Sequence, residues 1–174
     1  MRGISVLMIA AGLALSGCDN KTAPTQNSNN SVVVFTATLL PSNEIPAIAN
    51  GENTGSGTAT VTVTIVRDAA NAITATNATF DVSVKDFPST TSINIAHIHE
   101  GSASVPSGPI KVNTTLASGQ VLIVNGGASF TRTNINVPFD VAQGMLDNPS
   151  GYYFNIHTTL NPGGVARGQL TRTQ

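Results

Sequence analysis

Hydrophobic and polar residues alternate along most of this chain from Val32 onward. The clearest stretch is Thr58–Ile65, in which alanine, valine or isoleucine takes every second position and threonine takes the others. Because successive side chains of a strand point to opposite faces, this period of two predicts a half-buried β-strand. The same pattern predicts further strands over Val32–Leu40, Ile73–Lys85, Ile93–His99, Gln120–Val124, Ser129–Asn136, Tyr152–Thr158 and Val165–Thr171.

Residues that favour turns separate these predicted strands. Many short strands joined by such turns are typical of antiparallel β-structure. We therefore predict an all-β fold, an antiparallel Greek-key-like sandwich or barrel of seven to eight strands with one short helix. The turn-forming segments are Asn50-Gly51, Val105–Pro109, Asn125-Gly126-Gly127 and Asn161-Pro162-Gly163-Gly164.

The short helix is predicted to begin at Asp140. Gln143 stands three residues later, as in a variant of the capping box, in which two side chains satisfy the first backbone N–H groups. Asn148-Pro149 is expected to end the helix. Its apolar face is predicted to contain Val141, Met145 and Leu146.

The first residues have a different character from the rest of the chain. Arg2 precedes Ile4–Leu15, an apolar stretch of twelve positions interrupted only by Ser5 and Gly12. This length is too short to span a bilayer and suits the apolar part of a signal peptide. Leu15-Ser16-Gly17-Cys18 then resembles the lipobox of bacterial lipoproteins. We therefore expect residues 1–17 to be a signal peptide and Cys18 to be lipidated; the alternative is a plain secretory signal with an accidental cysteine.

Residues 18–31 are expected to be the lipidated cysteine and a flexible tether, because Asn, Ser and Thr dominate this segment. The resulting location is the bacterial cell envelope, with a membrane anchor and the domain facing the periplasm or the exterior. Two attached lipid signals give stable anchoring. Asp19 resembles an inner-membrane retention signal, but the choice between the inner and the outer membrane stays open.

Residues 32–174 are predicted to form one domain. Without residues 1–17 the chain has 157 residues, with seven lysines and arginines against nine acidic residues. A near-neutral balance argues against a nucleic-acid partner, because phosphate binding needs a basic surface. Neither a phosphate-binding glycine loop nor a GxSxG nucleophile motif occurs, which favours a protein that is not an enzyme.

The chain has three histidines, at His97, His99 and His157. Residues two apart on a strand share a face, so the first two side chains project together. If the strand of His157 lies beside theirs, all three imidazoles reach one pocket, in which their nitrogens could bind copper or zinc. The alternative is that the histidines are hydrogen-bonded residues of a polar core.

Four segments together resemble the CHRD family, a domain named after repeats in chordin. They span nearly all of the predicted domain. The resemblance implies a β-sandwich-like fold with no assigned reaction, and it places recurrent histidines at His97, His99 and His157. Val165 departs from the family pattern, which often has glutamate there. The four segments are Leu39–Pro46, Gly57–Ala59, Ala96–His99, and Tyr153–Thr158 followed by Pro162–Gly164 and Arg167–Leu170.

Five other residues are candidate partners of the histidines or structural residues. Glu44 and Arg167 are expected to form a buried or semi-buried ion pair between the first and the last strand, or to belong to an active site. Tyr153 and Asn155 share a strand face with His157 and are expected to support it or to fill the core. Glu100 follows the histidine pair, and the segment from His97 to Gly101 resembles one in copper–zinc superoxide dismutases, whose other ligands are lacking here.

Three functions remain open at this point. The first is a lipid-anchored module of the cell envelope with a binding or structural role, whose ligand or protein partner is unknown. The second is a copper- or zinc-binding protein that uses the three histidines and could be redox-active. The third is an adhesion or matrix-interaction module, which rests only on analogy with extracellular β-sandwiches.

Overall fold

A computed structural model describes residues 29–174 of the chain. It contains two antiparallel sheets packed face to face, which confirms the predicted all-β sandwich. Ten strands are present rather than seven to eight. They are β1 (Asn29–Leu39), β2 (Ser56–Arg67), β3 (Ile73–Lys85), β4 (Ser92–Glu100), β5 (Ile110–Asn113), β6 (Val121–Leu122), β7 (Ala128–Ile135), β8 (Tyr152–Thr158), β9 (Ala166–Gln169) and β10 (Thr171–Arg172).

The first sheet has the strand order β10-β1-β2-β3-β7, and the second has the order β5-β4-β8-β9, with β6 also paired to β4. The chain therefore crosses from one sheet to the other after β3, β6, β7 and β9. An isolated bridge between Leu40 and Arg167 joins β9 to the residue that follows β1. The two sheets are thus linked through the backbone at this edge, near the start of the loop that follows β1.

The hydrophobic core lies between the sheets and follows the predicted alternation. In β2, the buried residues are those at every second position from Ala59 to Ile65. The core face of the second sheet includes Ala96 and Ile98 from β4, and the Phe80 and Phe154 rings meet across the interface with centroids 5.9 Å apart. Burial of this apolar surface is the main stabilising contribution to the fold.

Three strand predictions differ from the structure. Val165–Thr171 contains two strands, because β9 pairs with β8 in the second sheet whereas β10 pairs with β1 in the first. The short strand β5 follows the proline-containing segment Val105–Pro109. It was not predicted, because four residues are too few to show a clear alternation. The strand predicted over Gln120–Val124 contains only the two residues of β6.

The domain also begins earlier than predicted. β1 starts at Asn29, so Asn29–Ser31 pair with β2 and do not belong to a tether. Polar side chains are compatible with a strand there because Asn29–Ser31 are exposed. The rest of the predicted tether, the signal peptide and Cys18 lie outside the described residues.

One α-helix, α1 (Phe139–Asp147), lies between β7 and β8, and two short 3-10 helices cover Pro41–Asn43 and Pro149–Gly151. The predicted capping box is wrong. The helix starts at Phe139, so Asp140 lies within its first turn and makes no capping bond there. Gln143 instead binds Arg67 and Asp147 through its side chain. Val141 and Met145 are buried as predicted and Leu146 is partly buried. No helix among residues 29–174 is long and apolar enough to cross a membrane.

Candidate metal centre

The strands β4 and β8 are neighbours, as the proposed histidine site requires. Their register sets Ile95 opposite His157 and His97 opposite Asn155. Ala96 and Ile98 point into the core between the sheets, so the histidines beside them project from the opposite, outer face of the second sheet. The prediction that the three imidazoles share one pocket is therefore confirmed at the level of strand pairing.

Three loops bury this outer face, and we call them the covering loops: residues 41–54, 101–109 and 159–164. Under them, His97 is 4% exposed, and His99 and His157 are each 6% exposed. The outer face of a sheet is normally exposed to solvent, so its burial here depends on the covering loops. The three histidines occupy a small polar interior that is separate from the hydrophobic core.

The His97 ring packs against the other two imidazoles. Its centroid lies 4.5 Å from those of both His99 and His157, whose own centroids are 6.4 Å apart. One nitrogen of each ring can be chosen so that all three atoms lie within 4.8 Å of one another. Each ring also has a buried nitrogen without a hydrogen-bond partner: Nδ1 of His97, Nε2 of His99 and Nε2 of His157.

Two covering loops fix the tautomers of two rings. Nδ1 of His99 lies 2.7 Å from the carbonyl oxygen of Gly108, and Nδ1 of His157 lies 2.9 Å from that of Pro162. A carbonyl can only accept, so each Nδ1 carries the proton and each Nε2 presents its lone pair in the neutral ring. Metal-ligating histidines usually make this kind of outer hydrogen bond, which orients the ring.

The surroundings favour neutral imidazoles. Burial lowers the pKa of His97 to about 3, and the nearby His157 and His99 rings act in the same direction. Burial also lowers the pKa values of His99 and His157, although the bonds to Gly108 and Pro162 act in the opposite direction. Because a metal binds the unprotonated nitrogen, all three rings are ready to serve as ligands at neutral pH.

The separation of the nitrogens fits a transition metal after a small movement. Atoms at most 4.8 Å apart can lie about 2.8 Å from a common centre, and Zn–N bonds are about 2.0–2.1 Å long. Each ring would therefore have to move by less than about 1 Å to bind an ion. Without a metal, each ring keeps a buried nitrogen that has no hydrogen-bond partner, an arrangement that costs free energy unless something binds these atoms.

Tyr153 supports the site from one side. Its ring is stacked on His99, with centroids 4.8 Å apart and planes 5° apart. Its hydroxyl accepts a hydrogen bond from the backbone N–H of Gly108, whose carbonyl binds the same histidine. No residue other than glycine fits at position 108, because a Cβ atom there would lie 1.8 Å from the carbonyl oxygen of Glu100.

Arg167 stands behind Tyr153 and organises two covering loops. Its guanidinium lies 4.7 Å from the Tyr153 ring centroid, on the ring face. The side chain is 1% exposed and donates to four backbone carbonyls. These belong to Asn43 at 2.8 Å, Val105 at 2.8 Å, Pro106 at 3.1 Å and Ala103 at 3.2 Å.

The predicted ion pair between Glu44 and Arg167 is wrong. Within residues 29–174 the two side chains form no salt bridge, because backbone carbonyls occupy the guanidinium. Glu44 is nevertheless buried, and this burial raises its pKa to about 7, while the charge of Arg167 acts in the opposite direction. Asn155 is buried as well, on the same strand face as His157.

Glu100 is not a partner of the histidines. It stands one position beyond His99, so it projects from the opposite side of β4. Its side chain is half-exposed and pairs with Lys111 at 2.7 Å. This residue therefore contributes a surface ion pair rather than support for the site.

Sequence reasoning missed a buried carboxylate beside the site. Glu52, in the first covering loop, is 3% exposed and accepts hydrogen bonds from Thr91 at 2.8 Å, Thr158 at 2.6 Å and Asn161 at 2.6 Å. It joins this loop to β8 next to His157 and to the third covering loop. A single glutamate beside the predicted turn Asn50-Gly51 gives no signal of burial.

Comparison with known families places most of the described chain in one of them. A family model of the CHRD domain matches residues 35–170, which include β2 to β9, most of the core-facing part of β1 and all three histidines. No curated protein matches the chain, and no solved structure matches it either.

Proposed function

The chain belongs to the CHRD domain family, which supports a binding or structural module, and we propose that it binds one copper or zinc ion. One observation carries the proposal: three buried imidazole nitrogens lie within 4.8 Å of one another, and each ring has a nitrogen without a hydrogen-bond partner. Imidazole suits copper and zinc in particular.

The ligand set also defines what kind of site this would be. Structural zinc sites have four protein ligands, whereas three histidines leave one position for water or a solute. The residues that would hold the ion are His97, His99 and His157, and Gly108 and Pro162 would orient two of the rings through their carbonyls. A bound ion would supply Lewis acidity, or electron transfer in the case of copper.

Metal analysis of protein prepared without a polyhistidine tag tests this proposal. After loading with ZnSO4 or CuSO4 and desalting, we expect about one equivalent of bound metal. Because the chain has only three histidines, the triple variant His97→Ala, His99→Ala, His157→Ala removes every imidazole and should retain less than about 0.2 equivalents.

The matched control for the triple variant is Glu100→Ala, which removes a nearby carboxylate from the opposite side of β4. It should bind metal like the unmodified protein. Far-UV circular dichroism would show that the triple variant keeps its β-structure. A folded unmodified protein that retains less than about 0.2 equivalents of either metal would refute the proposal.

We also propose that the domain is held at the bacterial cell envelope by lipid on Cys18. The support is sequence alone: the apolar segment Ile4–Leu15 followed by Leu15-Ser16-Gly17-Cys18. In a bacterial expression host, the unmodified protein should appear in the membrane fraction, and Cys18→Ser should release it from that fraction. Equal membrane content of both proteins would contradict lipid anchoring.

A further inference from the structure

Two acceptor oxygens close to the metal centre lack partners. Oε1 of Glu44 and Oδ1 of Asn155 are buried and accept no hydrogen bond from residues 29–174. The side chains are 7% and 3% exposed, respectively. An unpaired buried acceptor costs free energy, so each of these oxygens lacks a donor that another molecule could supply.

The carboxylate of Glu52 shows that the chain can satisfy a buried glutamate when nothing else is to be bound. Glu52 lies in the same covering loop as Glu44 and receives three hydrogen bonds from side chains. Glu44 receives none from residues 29–174, and the guanidinium of Arg167 is directed at backbone carbonyls instead. Of these two buried glutamates, only Glu44 therefore lacks hydrogen-bond partners within residues 29–174.

Glu44 and Asn155 meet at Gly164, in the third covering loop. A Cβ atom on this glycine would lie 2.6 Å from Nδ2 of Asn155 and 2.8 Å from Oε1 of Glu44. Gly164 has a φ of 133°, a conformation that favours glycine. The side chains of Glu44 and Asn155 therefore both lie against Gly164, where a side chain on any other residue would collide with them.

A cleft opens directly at this point. Its volume is about 260 Å³, and both Glu44 and Gly164 line it. Its walls are mainly apolar, and they include Ile45 and Leu160, which are 38% and 60% exposed. The remaining lining residues are Pro46, Ile48, Pro106, Asn161, Pro162 and Gly163. A cavity of about 150 Å³ already accommodates benzene, so this cleft has room for a small ring with a polar group.

We propose that this cleft is a second binding site, which takes a small molecule with an apolar body and a hydroxyl or amino group that donates a hydrogen bond to the carboxylate of Glu44. The unpaired oxygen of the ionised Glu44 carboxylate is an acceptor, so the ligand has to supply the donor. The apolar walls take its body, as in most small-molecule sites. The inference goes beyond the metal site and does not depend on it, because neither oxygen belongs to the histidine cluster.

The test uses benzyl alcohol and benzylamine as probes and benzyl methyl ether as the matched probe without a donor. Each is titrated into 15N-labelled metal-free protein, and the signals of the Gly164 amide and the Asn155 side-chain amide are followed. We expect saturable shifts of both signals with at least one donor probe, at dissociation constants of about 1 mM. The ether should bind about fivefold more weakly, in proportion to one lost hydrogen bond.

Two variants locate the binding. Glu44→Leu removes the acceptor and should weaken the donor probe about fivefold, while Leu160→Ser removes an exposed part of the apolar wall and should weaken all probes several-fold without disturbing the fold. Glu100→Leu is the matched control, because Glu100 lies outside the cleft, and it should leave binding unchanged.

Three results would overturn the proposal. They are equal affinity of the ether and the donor probes, unaltered Gly164 and Asn155 signals at 20-fold excess over about 1 mM, and full binding to Glu44→Leu. Repetition of the titration with zinc-loaded protein separates the two hypotheses. A protein that binds the probes but no metal would contradict only the proposed metal function. A protein that binds metal but not the probes would contradict only the proposed cleft site.

Discussion

Replacement of Arg167 by methionine is expected to lower the free energy of unfolding by about 3–5 kcal/mol, since several part-buried carbonyls lose their donor at once. Methionine roughly preserves the length of the side chain and its apolar packing, so the loss would come from hydrogen bonding. The four affected carbonyls belong to two covering loops. Urea unfolding followed by far-UV circular dichroism measures the change.

Arg172→Met is the control for this prediction. Arg172 is exposed and donates to the carbonyl of the last residue, so its replacement should change the free energy of unfolding by less than about 0.5 kcal/mol. A change below about 1 kcal/mol in Arg167→Met would show that water replaces the guanidinium at little cost. The loops would then not depend on Arg167.

Acidification from pH 7 to pH 5 is expected to destabilise the metal-free protein. In the unfolded chain, histidine takes up a proton near pH 6.5, whereas burial lowers the pKa of all three histidines in the folded protein. The unfolded state therefore binds more protons in this range, and stability falls as the pH falls. His97, with a folded pKa of about 3, alone accounts for about 2 kcal/mol between pH 6.5 and 5.

Glu44 opposes this trend. Its pKa is raised to about 7 in the folded protein, so the folded state takes up its proton first and gains stability as the pH falls from 7 towards 4.5. Over this range Glu44 offsets roughly the contribution of His97, so the net loss that we predict comes from His99 and His157. Urea unfolding in the presence of a chelator should show that His97→Asn reduces the loss and Glu44→Gln enlarges it. Stability that is constant or higher at pH 5 would contradict the prediction.

The parts of the fold that the sequence predicts are those with long alternation. In β2, threonines and aliphatic residues separate the two faces over the whole strand, and the predicted range is close to the observed one. The strands β5 and β6 contain four and two residues and depend on pairing with β4 for their existence. Such short strands form because of tertiary contacts, and these contacts cannot be predicted from the local sequence pattern.

The histidine site was predictable to the level of strand faces. Parity placed His97 and His99 together, and the pairing of β4 with β8 supplied the third ring. The outer-sphere partners were not predictable, because Gly108 and Pro162 contribute backbone carbonyls, which every residue type has. The ion pair of Glu44 with Arg167 failed for the same reason: backbone groups took the place of the expected carboxylate.

The length of β1 has a consequence for how the domain would stand on a membrane. Its eleven residues rise by about 3.3 Å each, so Leu39 lies roughly 33 Å from Asn29. With lipid on Cys18, the anchored segment would join the domain at Asn29, the first residue of β1. The first covering loop begins just after the opposite end of this strand. The cleft beside Glu44 would then lie at the end of β1 opposite the attachment point, at a distance from the anchor where dissolved molecules or neighbouring proteins can reach it.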